Sequence, residues 1–333
     1  MRVPSKGLGG VCMAAILLGS ILPAAGQVAE WQRQVLAGRA LVASGKYAEA
    51  VAAYRAAVHL AEQLGTRDQR LWTTINRLAV AENEAGQRAN AGHDVERVLS
   101  LVEAVEGKDS SEYAVALGNL AALDIEAGRL PAAEQRMRQA LDIETRLPAP
   151  DGVELAMLRN QMAGLLIERH DYQGAEQCLN LALPVFEKAG LEHRKDLGAT
   201  LDNLGVVRQG QHRLEEAREL MSQGIGILEA ALGPRHPRLV RPLDNLATVY
   251  ALAGDYGAAE RTFERLLPLC EAALGKGHPM YASVLANYAA FLNMSGRKAE
   301  GRRVEAESKT LAREAARRNG LGMTVDVAAF HAK

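Results

Sequence analysis

The chain has 333 residues, with 39 Lys and Arg against 40 Asp and Glu and no long run of one sign, which argues against non-specific nucleic-acid binding through clustered positive charge. Aromatic residues make up only 4% of it, whereas the strong helix formers Ala, Leu, Glu, Arg and Gln dominate, so the chain is expected to be almost wholly α-helical. At this length one compact core seldom keeps growing, which leaves two domains or an elongated repeat architecture.

Residues 1–26 read as a secretory signal peptide. Arg2 and Lys6 precede a twelve-residue apolar run, Val11 to Leu22, and Ala24 and Gly26 place small residues at the minus-three and minus-one positions before Gln27. The alternative is an uncleaved anchor, although twelve residues fall short of the ~20 needed to span a bilayer. The sequence therefore predicts export to the periplasm or beyond the cell, with no membrane span once the leader is removed.

From Gln27 onward the chain repeats itself. A small residue recurs near the start of each second helix at Ala50, Ala91, Ala133, Ala175, Ala217, Ala259 and Gly301, in one step of 41 and five of 42. Twelve residues earlier stand Gly38, Ala79, Ala121, Ala163, Gly205, Ala247 and Ala289. Four residues after the anchors come Tyr54, Val95, Met137, Leu179, Met221 and Phe263, with Glu305 in the last unit. Small residues let two antiparallel helices approach, and bulky ones fill the adjacent holes. Gly45, Gly86, Gly128, Gly254 and Gly296 sit five residues before their anchors, where a helix ends and the chain reverses. The fourth unit has His170 there, and the fifth is read as using Gly210, two residues early.

Residues 27–318 are thus expected to form about seven helical hairpins, and the tail 319–333 reads as extended or disordered. Its alternation through Met323, Thr324, Val325, Asp326 and Val327 has the period of a strand, which suggests docking on the last hairpin or entry into the groove.

The pattern Leu232-Gly-Pro-Arg-His-Pro237, Leu243-Asp-Asn-Leu-Ala247, Tyr250, Gly254-Asp-Tyr256, Ala259-Glu260, Phe263 returns 42 residues later from Leu274 to Lys298. It resembles the 42-residue tetratricopeptide repeats of kinesin light chains and their bacterial relatives. The resemblance extends over about residues 28–318. It implies an all-α, right-handed superhelical solenoid whose first helices line a concave groove.

Fourteen residues before the anchors runs a polar column on the first helices: Leu36, Arg77, Asn119, Gln161, Asn203, Asn245 and Asn287. By the family's architecture it faces the groove, with Asn76, Asn160, Asp202, Asp244, Arg39 and Arg241 beside it. An Asn there offers a donor and an acceptor to the backbone of an extended peptide. Equally, these residues serve as bonds between neighbouring helices. A basic clamp for a C-terminal carboxylate is doubtful, because only Arg39, Arg77 and Arg241 supply positive charge.

No nucleophile elbow, zinc-protease pair, phosphate-binding loop or paired cysteines occur in the sequence, so neither enzyme activity, metal nor cofactor is expected. His236 and His278, each followed by Pro, are expected to bond the starts of their own helices. Cys178 and Cys270 lie two repeats apart and are expected to remain thiols. The expected function is a non-enzymatic scaffold that binds a peptide or helix of a partner protein in the groove. The alternative is an adaptor that self-associates or assembles an envelope complex through its outer helices. The oligomeric state is left open.

Overall fold

The structure is a computed structural model that describes residues 12–148 and 152–318. The leader's first eleven residues, the linker 149–151 and the tail 319–333 lie outside the described residues. Fourteen α-helices follow one another, and no strand occurs among the described residues. They pair as α1 (Cys12–Ala43) with α2 (Tyr47–Leu64), α3 (Gln69–Glu84) with α4 (Arg88–Val105), and α5 (Ser111–Glu126) with α6 (Leu130–Arg146). Next come α7 (Gly152–Glu168) with α8 (Tyr172–Lys188), α9 (Arg194–Gly210) with α10 (Leu214–Leu232), α11 (Val240–Leu252) with α12 (Tyr256–Leu274), and α13 (Pro279–Met294) with α14 (Lys298–Arg318).

Each hairpin closes in the same way. The residue after the turn donates its N–H back to a carbonyl five residues earlier: Lys46 to Leu41, Gln87 to Glu82, Arg129 to Asp124, Asp171 to Leu166, Arg213 to Arg208, Asp255 to Tyr250 and Arg297 to Leu292. That bond requires a left-handed residue just before it. Five of the seven are glycines with φ between 72° and 88°; the other two are His170 at 60° and His212 at 61°. The fifth turn therefore corrects the sequence reading. Gly210 ends α9, where the Tyr172 ring lies 2.2 Å from the place a Cβ would take, so it is a glycine of close approach and His212 makes the turn.

The repeat columns are the packing surfaces. The six alanine anchors are fully buried, and so is Met137, Leu179 or Met221 four residues on. A Cβ on Gly38 would stand 2.6 Å from the Tyr54 ring, and one on Gly205 would stand 2.5 Å from Met221 Cγ. Small residues on the first helix thus receive the bulky knob of the second. At the last unit Glu305 is half-exposed and pairs with Lys309 at 2.6 Å, as befits a helix with no following repeat to cover it.

Consecutive first helices touch one another from α3 through α13, whereas no two consecutive second helices come comparably close among the described residues. The first helices therefore lie on the inside of the curve. The curve is tight enough to bring the chain back onto itself. The hairpin turn at Gly45 meets Pro237, and the turn at Gly86 meets His278. Both pairs are 192 residues apart, about 4.6 repeats of 42. One edge of hairpins 1 and 2 is stacked on the opposite edge of hairpins 6 and 7.

At this seam Arg238 donates to the Glu84 carboxylate at 2.8 Å, the Tyr47 and His236 rings meet edge to face at 6.4 Å, and Tyr47 is buried. Burial, reinforced by Glu84, holds the Tyr47 phenol well above its ordinary range.

Candidate functional site

The inner wall is built from one face of each first helix. Residues at positions three, four and seven apart share that face, so Arg241, the Asn column, Arg39, Val80, Leu252 and Met294 belong to one surface.

The Asn column forms a ladder. Asn119 Nδ2 donates to Asn76 Oδ1 at 2.7 Å, Asn203 Nδ2 to Asn160 Oδ1 at 3.1 Å, Asn245 Nδ2 to Asp202 Oδ2 at 3.0 Å and Asn287 Nδ2 to Asp244 Oδ2 at 2.7 Å. Each rung reaches 43 residues back, from one first helix to the residue one place earlier on the preceding first helix. The rung from α7 to α5 is built differently. Gly118 stands where the acceptor would be, and the longer Gln161 fills the space, its Oε1 2.7 Å from the position of a Cβ on Gly118.

The acceptors change character along the chain, from Asn76 and Asn160 to Asp202 and Asp244. Both aspartates are buried, and each has one oxygen in its rung and one without a hydrogen-bond partner. Burial pushes both carboxyls up to about 7, against the opposing influence of the Asn donors and the Arg241 guanidinium. Behind Asp244, Cys270 is fully buried, and burial pushes its thiol up to about 12. Cys178 is half-buried, and both cysteines are free.

The structure thus brings Asn119, Asn160, Gln161, Asp202, Asn203, Asp244, Asn245 and Asn287 into one continuous column. Within it Asp202 and Asp244 are sealed from solvent, while the Asn and Gln side chains are half-buried. Arg241 is exposed beside them, as are Arg39 and Arg77 on the first two inner helices. The Tyr54 phenol, raised chiefly by burial, is lowered in turn by Arg77 and Arg39, which places both guanidiniums near one hydroxyl.

Of the apolar part of this wall, sequence reasoning placed only Leu36, which heads the column, and missed Val80, Leu252 and Met294. Leu36, Val80, Leu252 and Met294 are 55%, 37%, 42% and 38% exposed. Their signal was positional: each falls on the Asn column or three or seven residues after it, where no core partner is due.

No group of three or more metal-ligating side chains occurs among the described residues, and no helix there is long and apolar enough to cross a membrane. His236 and His278 start their own helices as expected. Their Nδ1 atoms accept the N–H of Arg238 at 3.2 Å and of Met280 at 3.1 Å.

A tetratricopeptide repeat family model matches residues 71–146, 153–230, 196–272 and 243–314, and a second tetratricopeptide model matches residues 33–64. Among solved structures, the apo form of RapI is 18% identical, with 87% of this chain and 98% of that one covered at a TM-score of 0.56. A Rap protein complexed with Competence and Sporulation Factor is 16% identical, with 87% and 92% covered and a TM-score of 0.54. BtubC (BKLC) from P. vanneervenii is 20% identical over 75% of this chain and 94% of its own, with a TM-score of 0.48. No curated protein matches the chain.

Proposed function

The chain belongs to the tetratricopeptide repeat family, and from that premise we propose that it is a non-enzymatic scaffold holding an extended segment of a partner protein along its inner wall. The observation that carries this reading is the composition of that wall. Four exposed apolar side chains and three exposed guanidiniums share it with a column of amides. Each rung uses one N–H of its Asn, which leaves a second N–H and the carbonyl oxygen for a peptide backbone. Closure within about 4.6 repeats favours a strand over a helix, whose side chains need ~10–12 Å.

A second reading rests on Leu181 of the outer helix α8, which is 55% exposed, and on Leu191 in the connection that follows α8, which is 83% exposed. There the protein would self-associate or assemble a larger complex through its outer helices.

One experiment separates the two. A photo-crosslinking residue at Leu252 on the inner wall should yield adducts with a partner protein, while one at Leu181 should yield none. Adducts at Leu181 alone, of twice the chain mass, would establish the adaptor instead.

Export is part of the proposal. Helix α1 runs without a break past the expected cleavage point, and directly after that point Gln27 bonds Gln63 of α2 at 3.1 Å. Cleavage there would leave Gln27–Ala43, seventeen residues, the length of α7 and α9. N-terminal sequencing of the protein from its native envelope fraction should begin at Gln27; a start at Met1 would sink this part.

A further inference from the structure

The two His-Pro pairs do more than start their helices. With Nδ1 accepting a backbone N–H, the ring proton of His236 sits on Nε2, 3.3 Å from the Val42 carbonyl in the last turn of α1. His278 is turned the same way, its Nε2 lying 3.4 Å from where a Cβ on Gly86 would stand. Each imidazole therefore caps a helix in one turn of the superhelix and presses on the adjoining turn with its other nitrogen.

We propose that this seam is a proton-operated clasp: protonation of His236 and His278 parts hairpins 1 and 2 from hairpins 6 and 7 and opens the superhelix without unfolding the hairpins.

A second proton has only Nδ1 to occupy, so it removes the acceptor that caps the helix. It also creates a cation in a crowded place. His236 faces Arg238 of its own lead-in, Glu84 of α3 and the Tyr47 ring of α2. His278 faces Arg88 of α4, Glu84 of α3 and Glu126 of α5. Lys46, Glu49, Arg235 and Arg265 line the crevice of about 790 Å³ beside the seam. Burial is the largest influence on both imidazoles and holds them below the ordinary range. Arg238 and Arg88 act in the same direction, while the carboxylates and the facing backbone oppose.

With the folded value depressed, the unfolded or opened chain binds more protons. The seam is therefore at full strength above about pH 6.5 and weakens as the pH falls below it.

Opening is separable from unfolding because the apolar cores do not cross the seam. One large cluster runs through hairpins 1 to 4 and another through hairpins 5 to 7, and among the described residues no cluster joins the two ends. Among the described residues, the contacts across the seam include an ion pair, two imidazoles, one phenol ring and the Gly45–Pro237 approach. The clasp does not rest on what the inner wall holds.

The test uses the full chain with its native cysteines replaced by Ala and nitroxide labels on Ser44→Cys and Arg235→Cys, both exposed beside the crevice. Electron-spin distance measurement should give one short population at pH 7.5 and a longer one at pH 5.0, with the midpoint below 6.5 and the far-ultraviolet circular dichroism unchanged. The H236N/H278N variant keeps the cap acceptor without the titration and should stay short at both pH values. The D202N/D244N variant, altered away from the seam, should open as the parent does. The clasp is overturned if the short distance persists at pH 5.0, if the His variant opens equally, if the Asp variant does not open, or if helicity is lost over the same interval.

Discussion

The side-chain amide of Asn245 donates to the buried carboxylate of Asp202 across 3.0 Å, tying α11 to α9. The same rung ties Asn203 to Asn160, an amide accepting from an amide, so the ladder does not need a charge at this place. Replacing Asp202 and Asp244 by Asn should therefore keep both rungs while removing two buried carboxylates. Their folded values are raised to about 7, so the folded state holds more protons than the unfolded one between about pH 4 and 7. The stability they contribute is complete below about pH 4 and is lost as the pH rises to 7. At pH 8 each substitution should stabilise by about 1–2 kcal/mol, less than the full shift because the new NH2 is itself buried. At pH 4 the gain should vanish. Urea denaturation at the two pH values measures this, and equal gains at both would show that charge burial is not the cause.

The small-residue columns predict opposite outcomes for two glycines in helix interiors. Gly38→Ala drives a methyl into the Tyr54 ring, which cannot bend away, and should cost about 1–3 kcal/mol. Gly226→Ala meets nothing within 4 Å on the exposed face of α10 and should gain about 0.5–1 kcal/mol from helix propensity. Thermal unfolding of both variants checks the pair, and similar shifts in one direction would contradict the packing account.

The two histidine turns give a third prediction. His212 holds φ 61° and is exposed, so His212→Gly relieves a left-handed conformation and should stabilise by about 0.5–1 kcal/mol. His170→Gly should gain less, because His170 Nδ1 lies 3.0 Å from the Tyr172 hydroxyl and that contact is lost. Denaturation midpoints that rank His170→Gly above His212→Gly would refute the assignment.

The turn at His212 also shows where the sequence stops being legible. The anchors, the knobs and six of the seven turns, His170 among them, were readable because each depends on contacts within one hairpin and recurs every 42 residues. Gly210 was misread because glycine serves both positive φ and close approach, and only the nearness of Tyr172 separates the two. The Asn column was legible as a column. Its pairing with the residue 43 places back depends on the offset between neighbouring inner helices, which no single repeat encodes. The seam between Gly45 and Pro237 was further out of reach, since 192 is not a multiple of 42 and the meeting point is set by rotation accumulated over several units. Yet the repeats with clean His-Pro lead-ins are the two that meet hairpins 1 and 2, so the motif marked the seam before its partner was known.

The one irregular rung offers the last prediction. Between α5 and α7 the ladder has Gly118 in place of an acceptor and Gln161 in place of Asn, a complementary change in which the longer side chain takes the space of the missing one. Gly118→Asn alone should clash with Gln161 Oε1 and Leu158 Cδ2, each 2.7 Å from the new Cβ, and cost about 1–3 kcal/mol. Gln161→Asn alone leaves a gap over Gly118 and loses packing. Together they place an Asn opposite an Asn, the geometry already seen between Asn203 and Asn160. The contact with Leu158 remains, so the double variant need not regain the parent's stability. Its loss should still be smaller than the sum of the single losses by about 1 kcal/mol or more. A double-mutant cycle by urea denaturation reads that difference directly. If the losses simply add, the two positions do not form a rung, and the change from Asn to Gln at residue 161 is unrelated to the glycine it covers.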